Sequence, residues 1–131
     1  MTVFVLDAGA LIAIDRNDRG VSAMLRVVLD EGDEVHVPAG AVAQTWRDGA
    51  RQANLARTLQ RCEEVPLDSE VARAAGLLCG RAGTTDVIDA SVAVAAAVAA
   101  SSGTVAVLTS DPDDLATLLS AVGVDARLVP V

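Results

Sequence analysis

The stretch T-V-F-V-L-D-A-G-A-L-I-A-I, residues Thr2 to Ile14, decides the fold class. Thr2 to Leu6 is a short apolar run of the kind that forms a buried strand, and it ends at Asp7. Ala8 to Ile14 has the composition of a helix. A strand that leads directly into a helix is the first unit expected of an α/β fold.

The same alternation continues to the end of the chain. Further strands are predicted at Glu34 to Val37, Glu64 to Leu67, Thr104 to Thr109 and Ala126 to Val129. Helices are predicted between them over 21–29, 41–47, 53–62, 69–81, 86–100 and 112–121. We therefore expect a single domain over residues 1–131, built as a three-layer, Rossmann-like α/β sandwich around a mostly parallel sheet of about five strands.

Composition limits the classes of protein to consider. The hydrophobic fraction of 52% excludes a disordered chain. The net charge of −8 argues against nucleic-acid binding through a basic surface, and the lack of lysine excludes a catalytic lysine. The uncharged run Ala90 to Thr109 is interrupted at Ser101-Ser102-Gly103, so we predict a buried helix and a strand rather than a membrane span.

The remaining unusual side chains are assigned ordinary roles. No export signal is visible, so we expect a cytoplasmic protein. Cys62 and Cys79 lack metal-binding spacing and are interpreted as small buried hydrophobes. His36 stands alone between two valines and is interpreted as a plain strand position. The helix over 92–100 is apolar nearly all round, so it should be buried under a further layer, which could be a second subunit of a homodimer.

Aspartates are placed where the predicted strands end and the helices begin. Asp7 closes the first strand, Asp111 follows the fourth, and Asp89 lies in the first turn of the helix before it. Asp86 precedes Asp89 by three residues, on the same helix face. Strand carboxyl ends and helix amino ends share one edge of a parallel α/β sheet, so these four carboxylates can converge there.

Each aspartate also has a purely structural explanation. Aspartate is a preferred N-cap residue, and Asp111-Pro112 has the form of an N-cap followed by proline at the first helical position. Convergence favours a site instead, because neighbouring carboxylates repel one another unless a cation neutralises them. An all-oxygen site without His or Cys suits Mg²⁺ or Mn²⁺, which could also bridge an acidic protein to a phosphate and promote phosphodiester hydrolysis.

Three segments carry a family resemblance: V-F-V-L-D-A-G-A-L from Val3, D-V-I-D-A-S-V-A from Asp86, and V-L-T-S-D-P-D-D-L from Val107. They resemble, in order, the best-marked motifs of the PIN-domain family, and P-L-D-S-E-V-A-R-A-A-G from Pro66 resembles its VapC branch of toxins. The resemblance implies a PIN-like fold and a Mg²⁺- or Mn²⁺-dependent endoribonuclease. It further implies a cognate VapB-like antitoxin as partner.

The resemblance also assigns roles to individual residues. Asp7, Asp89 and Asp111 match the family's acids, and Thr109 matches the threonine that positions the last loop. Gln44 stands where the family usually has a glutamate, so the second acid is missing.

A neighbouring acid could compensate for Gln44. We predict Asp86 in that role, with Asp48 as a weaker candidate, and we keep Asp114 as a supporting residue. Arg47 and Arg51 belong to a locally basic stretch that could contact RNA or an antitoxin, or could be an ordinary solvated face.

Two other functions compete with the nuclease. A phosphoryl-accepting receiver or an aspartyl phosphatase also places Asp at strand ends, but the missing lysine counts against both, and Gly9 stands where such a phosphatase has a second Asp. The other alternative is an inactive PIN-type module that binds RNA or antitoxin without cleaving, and Gln44 favours it.

Overall fold

Strands and helices alternate along the chain in the structure, a computed structural model that describes all 131 residues. The five strands are β1 (Thr2–Leu6), β2 (Glu34–Pro38), β3 (Glu63–Val65), β4 (Thr104–Thr109) and β5 (Arg127–Pro130). They form one sheet in the order β3-β2-β1-β4-β5, and every neighbouring pair is parallel. The predicted α/β class and five strands are confirmed, and the sheet is wholly rather than mostly parallel.

Seven helices cover the two faces of the sheet. They are α1 (Ala8–Asp15), α2 (Arg19–Asp30), α3 (Ala39–Thr45), α4 (Ala53–Leu59), α5 (Ser69–Ala82), α6 (Val87–Ala100) and α7 (Pro112–Val122), with a short 3-10 helix at Gly49–Arg51. The helix predicted to reach Arg47 ends two residues earlier. The reason is local: the side chain of Gln52 binds the N–H groups of Arg47 and Asp48, so these groups no longer bond along a helix.

The sheet separates two hydrophobic cores. Val3 and Val5 pack with residues of α5, α6 and α7, whereas Phe4 and Leu6 pack with residues of α1 to α4. This division follows from the strand geometry, because successive side chains of a strand point to opposite faces. Both faces of β1 are buried, which explains why its sequence is continuously apolar.

Helix α6 lies between the sheet and the outer helices α5 and α7. Most of its apolar surface is therefore covered by the same chain, and Val98 remains exposed. No single helix has the length and hydropathy to cross a bilayer, and α5 with α6 passes that test only as a pair bent by 108°.

The strand order changes direction beside β1. From β1 the chain moves to β2 and β3 on one side, and then crosses back to add β4 and β5 on the other side. In open parallel sheets such a reversal leaves a crevice at the carboxyl ends of the two central strands. Here that crevice lies beyond Leu6 of β1 and Thr109 of β4.

Candidate metal centre

Three carboxylates meet in the crevice between β1 and β4. Asp7 follows β1, Asp111 follows β4 by two residues, and Asp89 lies in the first turn of α6. Each offers an oxygen within 4.8 Å of the oxygens offered by the other two. Asp7 is more than eighty positions away from Asp89 and Asp111 in sequence, and the fold brings the three together. The group could hold a metal ion.

Asp7 is fixed by backbone groups from two elements. Its Oδ1 accepts a hydrogen bond of 2.9 Å from the N–H of Ala10, and its Oδ2 accepts one of 3.1 Å from the N–H of Ser110. The first bond caps α1, and the second ties the end of β1 to the loop after β4. Asp7 is 1% exposed; the bond from Ala10 is buried, and the bond from Ser110 is partly buried. Asp7 therefore caps α1 and also contributes a carboxylate to the group of three acids.

Gly9 allows these two segments to approach each other. A Cβ built at this position would overlap the side chain of Ser110 and would lie 3.3 Å from Oδ1 of Asp7. Any larger residue would push the start of α1 away from the loop that carries Asp111. Gly9 is thus a positioning residue of the centre, and the requirement is for space rather than for an unusual backbone angle.

Asp111 occupies the N-cap position of α7, but its carboxylate does not cap the helix. Instead, its backbone N–H donates a 2.9 Å hydrogen bond to Oγ1 of Thr109, which is completely buried at the end of β4. This bond holds the turn after β4, and the carboxylate of Asp111 accepts no hydrogen bond from the protein. The structural explanation offered by the Asp-Pro pair therefore leaves the acid group unaccounted for.

Asp89 has the most perturbed environment of the three. It is 9% exposed, its carboxylate accepts no hydrogen bond, and no ion pair involves it. The pKa of Asp89 is raised from 3.8 to about 7, first by burial and then by the negative charges of its neighbours, in the order Asp86, Asp111, Asp7 and Asp114. A buried acid surrounded only by acids needs either a proton or a cation.

The chemistry of the donors decides which cation fits. The three residues offer carboxylate oxygens and no nitrogen or sulfur. Hard divalent ions such as Mg²⁺ and Mn²⁺ prefer such donors, and Mg²⁺ commonly uses few carboxylates together with water and substrate phosphates. Such an ion would neutralise the carboxylate of Asp89, which no positive group of the protein compensates.

Asp86 lies beside this group but is not part of it. Its Oδ1 accepts a 3.0 Å hydrogen bond from the N–H of Asp89, so the side chain caps α6 and remains exposed. The structure therefore does not bring a fourth carboxylate into the set, and Asp86 acts on Asp89 through its charge. Asp114 is also exposed; together with Asp86 and Asp89 it lines a cavity of about 270 Å³ next to the centre.

Gln44 and Asp48 are the polar residues proposed around the missing glutamate, and Asp48 is not one of the converging acids. Gln44 is exposed on α3, and its amide takes part in no hydrogen bond. Asp48 caps the 3-10 helix by accepting a bond from the N–H of Ala50, and it lies 3.7 Å from Arg51 in an exposed ion pair. Asp48 is thus committed to local structure.

The basic stretch is divided between different places. The guanidinium of Arg47 donates to the carbonyl oxygens of Ala43 and Trp46, at the carboxyl end of α3. Arg57 and Arg61 instead line a polar cleft of about 270 Å³ together with Arg26 of α2. Contact of Arg47 and Arg51 with RNA or a protein partner stays a prediction.

Gln52 is an organising residue that the sequence analysis did not identify. Its buried side chain accepts hydrogen bonds of 2.8 and 3.0 Å from the N–H groups of Arg47 and Asp48, and it donates one of 2.9 Å to the carbonyl of Thr45. Three backbone groups of the loop after α3 are thus satisfied by one side chain. A glutamine between two short helical segments carries no pattern that reveals this role.

The fold of the chain is similar to that of several solved structures. The structure of VapBC2 from Rickettsia felis bound to a DNA fragment from its promoter matches with a TM-score of 0.64 at 12% identity, over 98% of each chain. FitAcB from Neisseria gonorrhoeae matches with a TM-score of 0.62 at 18% identity, over 95% of each chain. FitAB bound to IR36 DNA matches with a TM-score of 0.61 at 17% identity, over 97% of this chain and 94% of the other.

The TM-scores establish the fold, and the comparisons of sequence correct the family assignment. No protein-family model matches the chain, and no curated protein matches it in sequence. The identification with the VapC branch of the PIN-domain family, which rested on short motifs, was therefore wrong as a statement of family. What the comparisons show is an α/β fold with a five-stranded parallel sheet, shared with the VapBC2 and FitAcB structures.

Proposed function

We propose that the protein is a metal-dependent endoribonuclease that uses Asp7, Asp89 and Asp111 to hold Mg²⁺ or Mn²⁺. The observation that carries the proposal is the convergence of these three carboxylates, within 4.8 Å of one another, at the sheet edge where parallel α/β folds bind ligands. The proposal is supported by the fold similarity to toxin–antitoxin complexes.

A divalent ion at this position would supply Lewis acidity toward the phosphate oxygens and the attacking water. The protein's own residues prepare the place. Asp7 is oriented by two N–H groups, and Thr109 holds the turn that presents Asp111. The pKa of Asp89 is raised to about 7, and a bound cation would lower it, because the cation would replace the proton as the source of positive charge.

The same argument reconciles the acidic chain with an anionic substrate. The net charge of −8 would repel a polynucleotide, and the four aspartates around Asp89 concentrate that charge at the crevice. A divalent ion held by Asp7, Asp89 and Asp111 would reverse the local field, so that a phosphate could approach. We therefore expect RNA binding by the wild-type chain to require the metal, rather than only to be strengthened by it.

The test is cleavage of a labelled single-stranded RNA by the purified chain with Mn²⁺ or Mg²⁺, and with EDTA. Asp111→Asn is the sharpest variant, because its carboxylate accepts no hydrogen bond and its loss does not uncap α7. We expect its rate to fall by roughly a hundredfold or more. Asp113→Asn is the matched control, since Asp113 is an exposed acid two positions away. Equal cleavage by both variants would refute the proposal.

The alternative is a module of the same fold that binds partners without cleaving, and the neutral side chain of Gln44 favours it. It makes a different prediction. If the alternative holds, isothermal titration with Mn²⁺ should give the same result for the wild type and for Asp89→Asn, and RNA should stay intact. Introducing an acid with Gln44→Glu distinguishes a weakened enzyme from an inactive chain. Cleavage should become faster in the first case and should stay absent in the second.

We also propose a protein antitoxin as partner, and we place its contact at the cleft between α3 and α4. This cleft of about 580 Å³ has a mostly apolar lining, and Trp46 in it is 41% exposed. Exposed tryptophan is enriched at protein interfaces. Co-expression with the product of a neighbouring reading frame should relieve growth arrest, and Trp46→Ala should abolish that relief while the acidic residues stay intact. Unchanged relief would exclude this cleft.

A homodimer remains part of the proposal. Leu77 of α5 and Val98 of α6 are 66% and 68% exposed and line one apolar cavity of about 350 Å³. An exposed apolar surface of this kind favours association. Sedimentation of the wild-type chain should report a dimer, and Val98→Asp should report a monomer with unchanged circular dichroism.

We further propose that the protein acts in the cytoplasm, where its RNA substrate would be found. The two unpaired cysteines are consistent with that reducing compartment.

A further inference from the structure

A second group of metal-ligating side chains lies at the edge of the sheet formed by β2 and β3. Glu34 and His36 are two residues apart on β2, so their side chains leave the same face. Glu63 of β3 pairs in register with His36, and its side chain leaves that face as well. Because His36 also pairs with Val5, the face is the one covered by α5, α6 and α7.

The distances within this group match those of metal ligands. Nε2 of His36 lies 3.0 Å from Oε2 of Glu63 and 3.7 Å from Oε2 of Glu34. All three ligand atoms lie within 4.8 Å of one another. Ligands held at about 2.0–2.1 Å in a tetrahedral zinc site are separated from each other by roughly 3.3 Å. The two observed distances lie on either side of that value.

The imidazole nitrogen that faces the carboxylates has no hydrogen-bond partner. Nε2 of His36 is shielded from solvent and makes no hydrogen bond of acceptable geometry, although Oε2 of Glu63 is 3.0 Å away. At that separation a hydrogen bond fails only when the acceptor lies away from the N–H direction. A buried polar atom that is left unpaired costs free energy. A ligand between the nitrogen and the carboxylates would remove this cost.

We propose that Glu34, His36 and Glu63 form a Zn²⁺ site that is separate from the three aspartates and independent of the nuclease proposal. Imidazole nitrogen together with carboxylate oxygen is a donor set that zinc accepts and that magnesium does not favour. Three protein ligands leave the fourth position to water, and a cavity of about 220 Å³ lined by His36 and Glu63 adjoins the group.

The effect of such an ion would be to fasten the edge of the sheet. β3 has three residues and pairs with one neighbour, β2. Two of the ligands come from β2 and one comes from β3. A bound ion would therefore link the two strands directly and hold the segment between α4 and α5. It would also neutralise two adjacent carboxylates on that edge.

The experiment measures zinc in a chain whose aspartate centre has been weakened. Asp111→Asn is dialysed against Zn²⁺, and bound metal is counted by elemental analysis. We expect one zinc per chain, and we expect binding at least about tenfold weaker after the further change His36→Gln or Glu63→Gln. Glu64→Gln is the matched control, because Glu64 is the next residue of β3 and points to the opposite face.

Cobalt substitution gives a second readout. Co²⁺ in the site should produce the intense visible absorption of four-coordinate nitrogen and oxygen ligation, and Glu63→Gln should abolish it. Glu63 is exposed, so this variant keeps the core intact if His36→Gln does not fold. Zinc binding and cobalt absorption unaffected by both substitutions would overturn the proposal. The same holds if no zinc is bound, which would leave an ion pair between imidazole and carboxylates.

Discussion

Replacing Asp89 with asparagine should remove a pH-dependent cost to folding. The folded protein holds the pKa of Asp89 at about 7, whereas the usual value is 3.8. Between these values the folded state keeps a proton that the unfolded chain has released, so the free energy of unfolding falls as pH rises through this window. Above pH 7 the whole cost is present, because the carboxylate is then ionised in both states.

The size of the effect follows from the shift. At 1.36 kcal/mol per pH unit the full shift corresponds to about 4 kcal/mol, and solvent screening near the crevice reduces this to about 2 kcal/mol. Asparagine has nearly the shape of the protonated acid and carries no charge. The metal-free Asp89→Asn variant should therefore exceed the wild type by about 2 kcal/mol at pH 8 and should match it near pH 4.

Urea unfolding followed by circular dichroism in EDTA, at several pH values from 4 to 8, measures this difference. Subtracting the variant from the wild type removes the contributions of other groups, including His36. Asp125→Asn is the control, since Asp125 is exposed in the loop between α7 and β5. A difference between Asp89→Asn and wild type that does not change with pH would refute the reasoning. Adding Mg²⁺ at pH 8 should stabilise the wild type and leave the variant unchanged.

Three other predictions concern positions outside the acids. Gly9→Ala should destabilise the fold by about 1–3 kcal/mol in urea unfolding, because its methyl group would overlap Ser110; unchanged stability would mean that the two loops can separate freely. Gln52→Leu should cost about 2–3 kcal/mol, because two N–H groups and a carbonyl lose their partner, and wild-type stability would contradict this. Cys62 should alkylate slowly at pH 8 in the folded chain and rapidly in urea, because burial raises the pKa of its thiol to about 11; equal rates would disprove it.

The aspartate centre could be predicted because topology fixes it. The first strand ends at Asp7, and the alternation of strands and helices requires a parallel sheet. In such a sheet the carboxyl ends of strands and the amino ends of helices share one edge, so Asp89 and Asp111 had to be near Asp7. No knowledge of side-chain packing was necessary for this step.

The residues that position the centre could not be predicted in this way. Gly9 matters because of Ser110, and Asp7 is bound by the N–H of the same Ser110, 103 residues away. Contacts of that kind depend on the fitting of loops, which leaves no period or spacing in the sequence. The group formed by Glu34, His36 and Glu63 could not be predicted for the same reason. Glu63 lies beside His36 only because β2 pairs with β3.

The two explanations of an aspartate at a helix start, capping and chemistry, are separated by what each carboxylate accepts. Asp86 accepts a cap bond and stays exposed, so its position is explained by the helix alone. Asp111 and Asp89 accept no hydrogen bond, so the fold gives no reason for their charge. Asp7 does both, because each carboxylate oxygen has two lone pairs and an oxygen that accepts one N–H can still face a cation. It follows that metal binding should be most cleanly lost at Asp111 and Asp89, whereas Asp7→Asn should lose metal binding and stability together.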